Sequence, residues 1–466
     1  MRVNDVHSRL NATDVAAVVA VRSVEDVGRV LGRARAKRLC VAIAGGRHAM
    51  GGQQFVRGGV LLDMTGLDRV ISFDPVRGLI EVEAGIMWPA LHDALVALQR
   101  TDDSRWTFRQ KQTGADRFTI GGALSANIHG RGLAMPPFVA DVEGFTLVDA
   151  RGHVHCCSRN ENRHLFSLAI GGYGLFGVIV TVTLRLTRRS SVQRIVDLID
   201  VGDVMAEIDM RIAEGCLYGD FQFAIDSSSD DFLRRGILSC YRPVAHSPGA
   251  PDRQSYLSER DWQRLLHLAH VDKRSAFDEF ASFYLSTARQ VYGSDDHQLG
   301  YYLDGYHTKL DARLGHCGSE MIGELYVPRG KLVEFLSAAA QALRTTNADV
   351  IYGTVRLIAR DQETFLPWAR DDYACVVFNL HTPHTVGGVG RTATAFRALI
   401  DAATMRQGSF YLTYHRYATR SQVLAGHPRF EAFVRAKEAF DPDLRFQSDW
   451  YRHYQPTFRG PAVAIV

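Results

Sequence analysis

Residues 41–55 read VAIAGGRHAMGGQQF, an apolar run that stops at two glycines and continues with an arginine and a histidine before two more glycines. The apolar residues at 41–44 predict a strand that is buried on both faces. Glycines permit backbone conformations that other residues resist. We therefore predict a buried strand followed by a turn that presents Arg47 and His48 and whose backbone closely approaches another group.

Length and composition are those of an ordinary globular protein. The chain has 466 residues, 46% of them hydrophobic, and 54 basic against 51 acidic side chains leave a net charge of +3. This length predicts two domains, and the lack of a basic stripe predicts no nucleic-acid partner. No apolar stretch reaches the roughly 20 residues of a transmembrane helix, and the N-terminus is too polar for a secretory signal. With seven scattered cysteines, we expect a cytoplasmic protein with reduced thiols.

The order of predicted elements divides the chain near residue 190. Ser23 followed by Asp26 predicts a helix over about 24–37, and Trp88 begins a second helix after several short strands. Two further glycine-rich junctions follow, FTIGGALSANIHGRG at 118–132 and AIGGYGLFG at 169–177. Beyond about residue 190 the pattern changes to mixed helices and strands that are rich in Tyr and Phe.

The three glycine clusters could each offer backbone N–H groups to a phosphate or to a flat polar ring. The first cluster lacks the GK[ST] ending of a P-loop and the GxGxxG order of a Rossmann turn. Taken singly, each cluster is a weak signal, because glycine-rich turns are usually only turns. Their order along the chain carries more information than any one of them.

Five segments in order resemble the successive signatures of the vanillyl-alcohol oxidase superfamily, the FAD-linked oxidases with a PCMH-type FAD domain. They are AGGRHAMGGQ (44–53), DMTGLDRVISFDPVRGLIEVEAGIMWPALHDAL (63–95), TIGGALSANIHGRG (119–132), GGYGLFGVIVTVTLRL (171–186) and FDPDLRFQSDWYR (440–452). The resemblance covers about residues 12–188 and 405–453. NIHG, ELYVPR and FDPDLRFQSD are most similar to the branch with aldonolactone and alditol oxidases and decaprenylphosphoryl-ribose oxidase.

This resemblance implies an α+β fold. A two-subdomain PCMH-type FAD-binding domain is expected over 1–190, and an α+β substrate (cap) domain with an antiparallel sheet over 191–410. The C-terminal segment, 411–466, is expected to return to the FAD domain.

The resemblance also implies FAD as the cofactor. Many members of the superfamily carry, in the first glycine turn, a histidine bonded covalently to the flavin, and His48 occupies that place. We expect this covalent link; the alternative is a hydrogen bond from His48 to a phosphate or ring oxygen. The second glycine cluster has no cysteine, so a second covalent link is not expected.

The residues implied to contact FAD come from all three glycine clusters. They are Gly45, Gly46, Arg47, His48, Ala49, Met50, Gly51, Thr119, Gly121, Gly122, Ser125, Asn127, His129, Gly130, Gly174, Gly177 and Ile179. Asp449 and Tyr451, from the returning C-terminal segment, are further candidates. His129 is equally compatible with a buried structural histidine whose ring is satisfied by backbone groups.

Polar residues alternate along three predicted strands beyond residue 190. Alternation groups Glu324 with Tyr326, Tyr352 with Thr354 and Arg356, and Asn379 with His381. Such rows predict a polar cavity above the sheet or, equally, a sheet face in solvent.

The stretch SFYLTYHRYATR (409–420) lies where alditol oxidases have a histidine-containing turn. We expect His415 to be the catalytic base, with Tyr414 and His381 as the next candidates and Asn379 on the same polar face. Arg356 is expected to bind a substrate oxygen or to stabilise negative charge on the flavin. Thr354 stands where lactone and alditol oxidases have a glutamate, so the substrate is expected to differ from theirs.

The expected function is FAD-dependent oxidation of a CH–OH group on a polyol, sugar or lactone-like small molecule, by hydride transfer to flavin N5. Reoxidation is expected by O₂ or another electron acceptor. The alternatives are a flavin dehydrogenase or reductase that acts on a C–C bond of a lipid or sterol, and a non-catalytic FAD electron-transfer subunit. Asp295, Asp296, His297 and His307 could suggest a metal site, but nothing completes that ligand set and we expect no metal.

Overall fold

The computed structural model describes residues 1–100, 105–112, 114, 116–245, 255–300, 303 and 305–458, and it is an α+β structure. The strands are β1 (Arg2–Val3), β2 (Thr13–Asp14), β3 (Ala17–Ala20), β4 (Val41–Ala44), β5 (Val60–Asp63), β6 (Val70–Asp74), β7 (Leu79–Glu83), β8 (Trp106–Phe108), β9 (Val142–Val148), β10 (Val154–Ser158), β11 (Val178–Arg188), β12 (Ser191–Asp200), β13 (Tyr218–Phe223), β14 (Arg235–Val244), β15 (Val291–Gly293), β16 (Gly318–Pro328), β17 (Val350–Ile358), β18 (Tyr373–Pro383) and β19 (Ser409–Phe410).

The α-helices occur between these strands and after the last one. They are α1 (Val24–Ala36), α2 (Trp88–Leu98), α3 (Ile120–Ala126), α4 (Arg163–Ala169), α5 (Val204–Ala213), α6 (Glu259–Val271), α7 (Lys273–Ser286), α8 (Tyr306–Leu314), α9 (Leu332–Thr345), α10 (Val386–Thr404), α11 (Arg420–Gly426), α12 (Phe430–Phe440) and α13 (Asp449–Phe458). Within the described ranges, none of these helices is both long and apolar enough to span a bilayer.

The first glycine turn follows the edge of a small parallel sheet. In this sheet β5 lies between β3 and β4 and pairs with both in parallel. The predicted helix is α1, and the Ser23 side chain caps it by accepting a hydrogen bond from the Asp26 N–H. β4 is mostly buried, as its apolar sequence predicts, and it leads directly into Gly45.

The second and third glycine junctions border an antiparallel sheet. Its strand order is β10-β9-β11-β7-β6, with β8 paired to β11. The second junction forms α3, which Thr119 caps through its side chain and which ends at Asn127 in the left-handed conformation. The third junction leads into β11, the central strand of this sheet.

A larger antiparallel sheet is formed by strands after residue 190. Among the described residues its order is β15-β12-β14-β13-β17-β18-β16-β19, and we call it the large sheet. β11 ends at Arg188 and β12 begins at Ser191, so the chain changes sheets where the sequence pattern changes. α10 covers one face, because a Cβ on Gly323 would lie 2.2 Å from the Phe396 ring. The opposite face of β16 carries Glu320 and Glu324, and both are buried.

The C-terminal residues lie beside β4. Phe446 forms a parallel bridge with Val41. The Val41 N–H donates to the Arg445 carbonyl at 2.7 Å, and the Gln447 N–H donates to the Val41 carbonyl at 3.0 Å. The end of the described chain therefore braces the strand that leads into the first glycine turn.

Candidate active site

A cavity lies where the three glycine junctions meet the segment before α11. It holds about 980 Å³ of empty space, including part that is open to solvent. Its lining residues include Gly45, Gly46, Arg47, His48, Ala49, Gln53, Gln54, Gln112, Phe118, Thr119, Gly121, Gly122, Ser125, Tyr173, Gly174, Gly177, Ile179, Thr413 and Tyr414. One cavity wall therefore combines residues from all three glycine clusters.

The glycines of the first turn allow two junctions to touch. A Cβ on Gly45 would lie 2.1 Å from the Thr119 hydroxyl oxygen, and one on Gly46 would lie 2.2 Å from the Arg117 carbonyl oxygen. Larger residues at these positions would push the second junction away from the first. Part of the close approach that the sequence predicts is therefore a contact between the first and second glycine junctions.

Arg47 and His48 follow these glycines on the cavity wall. Arg47 has φ 61°, and its guanidinium forms an ion pair with Asp63 at 2.9 Å. The His48 ring packs against Phe118, with 4.7 Å between ring centroids. The turn therefore holds an imidazole at the cavity while the neighbouring arginine is already paired.

A carboxylate with several donors lies behind the cavity wall. The Tyr414 hydroxyl lines the cavity and donates to Glu324 Oε1 at 2.6 Å, and it accepts from Gln112 Nε2 at 2.8 Å. The Tyr326 hydroxyl donates to Glu324 Oε2 at 2.8 Å. Burial raises the pKa of Glu324, but the neighbouring His129 and the Tyr414 hydroxyl lower it to about 2 overall. Burial, and then Glu324 itself, raise the pKa of Tyr414 well above its usual value.

His129 is buried beneath this carboxylate and does not line the cavity. Its Nδ1 lies 3.0 Å from the Gly130 carbonyl oxygen, and its Nε2 lies 2.8 Å from Glu324 Oε2. Both ring nitrogens thus face acceptors, which is the hydrogen-bonding pattern of an imidazolium. His129 and Glu324 therefore form a buried hydrogen-bonded pair.

The polar face of the large sheet also contains a buried arginine. Arg356 is only 8% exposed, and its Nε is buried without a hydrogen-bond partner in the described structure. Asn379 lies on the neighbouring strand, and its Oδ1 is buried without a hydrogen-bond partner in the described structure. Neither side chain is among the residues that line the cavity. Buried polar groups are normally paired, so both are candidates to bind a ligand beside it.

Comparison with known proteins agrees with this geometry. Residues 15–158 match the FAD binding domain family. L-gulonolactone oxidase from Bos taurus is 27% identical over 190 residues, 41% of each chain. Decaprenylphosphoryl-beta-D-ribose oxidase from Mycolicibacterium smegmatis is 30% identical over 205 residues, 43% of this chain and 42% of that one. L-gulono-1,4-lactone dehydrogenase from Mycobacterium tuberculosis is 23% identical over 394 residues, 84% of this chain and 85% of that one.

Residues 15–158 belong to the FAD binding domain family, and these matches are consistent with the resemblance to the vanillyl-alcohol oxidase superfamily of FAD-linked oxidoreductases. The matches to the first two relatives span about two fifths of their length. The α+β fold class expected from the resemblance is confirmed.

The cavity of this flavoprotein fits FAD chemically. Oε1 of Gln53 and Oε1 of Gln54 are buried without a hydrogen-bond partner in the described structure, and both side chains line the cavity. Such acceptors suit the N–H edge of a flat polar ring. The glycine-lined wall also leaves backbone groups accessible to phosphates.

Five of the residues expected to contact FAD lie outside the cavity lining: Met50, Gly51, Asn127, His129 and Gly130. Asn127 uses its amide within the protein, because it donates to Asp361 at 3.0 Å and accepts from the Val139 N–H at 2.9 Å. Met50 belongs to the apolar core. These residues therefore lie behind the cavity wall and support it.

Asp449 and Tyr451 are likewise absent from the cavity lining. The Asp449 carboxylate accepts from the Arg57 N–H at 3.0 Å and from the Thr13 hydroxyl at 2.8 Å. It therefore ties the C-terminal segment to the N-terminal one.

His415 and His381 do not lie at the cavity, which corrects the expected choice of base. The His415 ring packs between Phe396 and Tyr417, at centroid distances of 4.4 and 4.8 Å, and burial lowers its pKa to about 3. His381 lies at the far end of the same sheet face, bonded to Glu320. The side chains of these two adjacent residues point in different directions: Tyr414 faces the cavity, whereas His415 faces α10.

Glu324 and Gln112 were not among the expected site residues. Strand alternation did group Glu324 with Tyr326, and the register of β16 with β18 confirms that row. Gln112 precedes the second glycine cluster, and the sequence carries no signal for its contact with Tyr414.

Proposed function

We propose that this flavoprotein oxidises a CH–OH group of a polyol, sugar or lactone-like substrate, with FAD held in the cavity and linked to His48. Residues 1–190 and 411–466 would bind FAD, and residues 191–410 would cover the substrate. FAD, when bound, supplies the hydride acceptor. The observation that carries the proposal is the Tyr414 hydroxyl, which lines the cavity and is hydrogen-bonded to a buried carboxylate.

Alcohol oxidation needs a group that takes the hydroxyl proton. Tyr414 would accept this proton at its hydroxyl oxygen while its own proton moves to Glu324 Oε1, 2.6 Å away. The low pKa of Glu324 keeps this group a carboxylate, which is able to accept the hydrogen bond. Gln112 donates to the same tyrosine oxygen and fixes its orientation.

Arg356 and Asn379 favour an oxygen-rich substrate over a lipid or sterol. A buried guanidinium nitrogen without a hydrogen-bond partner costs folding free energy unless a ligand supplies an acceptor. Hydroxyl or lactone oxygens would supply one, whereas an apolar substrate would leave the nitrogen unpaired. Thr354 donates its hydroxyl to the Phe221 carbonyl at 3.1 Å, so it does not replace the glutamate that lactone and alditol oxidases have there.

The substrate class is tested by anaerobic mixing of the purified holoprotein with polyols, aldonolactones and sugars, and with a sterol and a prenyl lipid. We expect an oxygen-rich compound to bleach the flavin absorption. Bleaching by the sterol or lipid alone would replace the proposal with the C–C dehydrogenase alternative. Later admission of O₂ or of a dye shows which electron acceptor restores the colour.

The covalent link is tested by acid precipitation. We expect the yellow colour to remain in the wild-type pellet and to leave with the supernatant in His48→Ala, because a neutral imidazole nitrogen is the nucleophile at this place. His153→Ala, at a side chain that is 66% exposed, is the control and should behave as wild type. Yellow supernatant from the wild type would show noncovalent FAD.

A further inference from the structure

A second polar cluster lies on the large sheet, away from the cavity. We call it the histidine–glutamate cluster, and it consists of His270 on α6, Glu320 on β16 and His381 on β18. His270 Nε2 lies 3.2 Å from Glu320 Oε1, and His381 Nδ1 lies 3.1 Å from the same oxygen. Their side chains are 2%, 3% and 5% exposed, respectively. Three potential ligand atoms thus converge on one point in the interior.

The tautomer of His270 is set by the backbone. Its Nδ1 lies 2.8 Å from the Leu266 carbonyl oxygen, which can only accept, so Nδ1 carries a proton. In a neutral ring Nε2 is then an acceptor. It faces Glu320 Oε1, which is also an acceptor.

The tautomer of His381 is set through His316. His316 Nδ1 lies 3.2 Å from the Leu314 carbonyl oxygen and therefore donates to it. With a neutral His316 ring, His316 Nε2 then accepts from His381 Nε2, at 2.8 Å. In this tautomer His381 Nδ1 carries no proton, and it faces Glu320 Oε1.

We propose that a divalent cation of the Zn²⁺ class binds between Glu320 Oε1, His270 Nε2 and His381 Nδ1. One ion satisfies all three acceptors at once. Protons would have to convert both rings into imidazolium ions, whose centroids are only 4.7 Å apart. Ligand bonds of about 2.0–2.1 Å around tetrahedral Zn²⁺ separate neighbouring ligand atoms by about 3.3 Å. The two distances from Glu320 Oε1, 3.2 and 3.1 Å, are close to this value, and all three ligand atoms lie within 4.8 Å of one another.

A fourth histidine, His307, lies beside the histidine–glutamate cluster. His307 Nε2 is buried without a hydrogen-bond partner in the described structure, and it lies 4.0 Å from Glu320 Oε2. The Tyr306 hydroxyl donates to the same carboxylate oxygen. The hydrogen bonds on the outer nitrogens of His270 and His381 are those that orient metal-binding imidazoles in known sites.

The other clusters of possible ligands in the described residues are satisfied without an ion. Asp295 and Asp296, beside His92, are both paired with Arg189, at 2.9 and 2.6 Å. In the cluster of His129, Glu324 and Cys375, one extra proton on the imidazole resolves the single contact between acceptors. The histidine–glutamate cluster differs because two bare nitrogens face one carboxylate oxygen.

The test uses the full-length flavoprotein after chelator treatment and gel filtration. Titration with ZnCl₂ in a calorimeter should show one equivalent bound with micromolar affinity or better, and thermal unfolding should shift upward with Zn²⁺. The readout is metal binding, so it does not depend on enzymatic activity. Loading with Co²⁺ should add visible absorption on the long-wavelength side of the flavin bands.

Variants at the cluster identify the ligands. His270→Gln and Glu320→Gln should each weaken Zn²⁺ binding by at least 100-fold, whereas His164→Gln, at an exposed histidine, should leave it unchanged. Wild-type protein that binds no Zn²⁺, or binding that survives both cluster variants, would overturn the proposal. Should the variants fail to fold, the wild-type stoichiometry and the Co²⁺ spectrum decide it.

Discussion

The Tyr414 hydroxyl is the group on which the proposed proton transfer depends. Tyr414→Phe should lower kcat by about 10²–10⁴-fold, the usual contribution of a positioned acid or base, with little effect on flavin content. Tyr373→Phe removes another buried hydroxyl of the large sheet, one that bonds the Gln407 carbonyl, and is the matched control. Equal anaerobic flavin-reduction rates in wild type and Tyr414→Phe would contradict the assignment.

Arg356 is expected to matter more for function than for stability. Arg356→Met removes a buried guanidinium whose Nε has no hydrogen-bond partner in the described structure, so we expect little change in the free energy of unfolding, while kcat/KM falls about 10–100-fold through the lost contacts to substrate oxygens. The control is Arg131→Met, which would leave Asp220 without its partner at 3.2 Å and should destabilise the protein. Denaturant unfolding and steady-state kinetics measure both effects.

A destabilised Arg356→Met protein would show that the guanidinium already has a structural partner. Unchanged kcat/KM would remove Arg356 from the substrate site. Either result is separable from misfolding, because the flavin spectrum reports whether the cavity is intact.

Sequence reasoning predicted the rows of polar residues. It did not predict which of two neighbouring residues, Tyr414 or His415, faces the cavity. Alternation correctly grouped Arg356 with Thr354, because a strand has a strict period of two. Tyr414 and His415 lie in a turn without such a period, so only tertiary packing decides which side chain faces the cavity. Packing against Phe396 places His415 elsewhere.

The contact between His415 and α10 makes this region sensitive to acid. The folded-state pKa of His415 is about 3, whereas the unfolded value is about 6.5. Between these values the unfolded chain binds more protons, so stability falls as the pH drops below about 6.5, by up to about 1.4 kcal/mol per pH unit. His415→Phe should make this loss shallower.

Chemical denaturation at several pH values between 7 and 4 measures this slope. Phe keeps a ring between Phe396 and Tyr417 but cannot titrate. His164→Phe, at an exposed histidine, should keep the wild-type slope. A His415→Phe slope equal to that of wild type would show that other groups dominate the acid response.

Helices and strands with clear sequence signals were predicted well. Ser23 and the helical spacing of the apolar residues after it predict α1, and the apolar residues at 41–44 predict β4. The glycine junctions were harder to interpret, because Gly45 and Gly46 serve both the contact between loops and the cavity wall. Which function a glycine has depends on a partner about 70 residues further along the chain, which a local pattern does not contain.

The contact between the C-terminal segment and β4 should stabilise the cavity, because β4 leads into the first glycine turn. Phe446 is 1% exposed and packs in the small core that includes Val41. Phe446→Ala should cost about 3–5 kcal/mol and also lower FAD retention. The exposed Val386, 95% accessible, provides the control Val386→Ala. Loss of stability with unchanged FAD retention would uncouple the C-terminal segment from the cavity.

The bridge between Val41 and Phe446 also has a consequence for biosynthesis. A ribosome must finish the whole large sheet before the partner of β4 emerges, and domains otherwise fold in order from the N-terminus during synthesis. On the proposed division of the chain, the flavin-binding unit would be the first to be started and the last to be closed. Nascent chains stalled before residue 440 should retain no flavin, so the cofactor is acquired at the end of translation or after release.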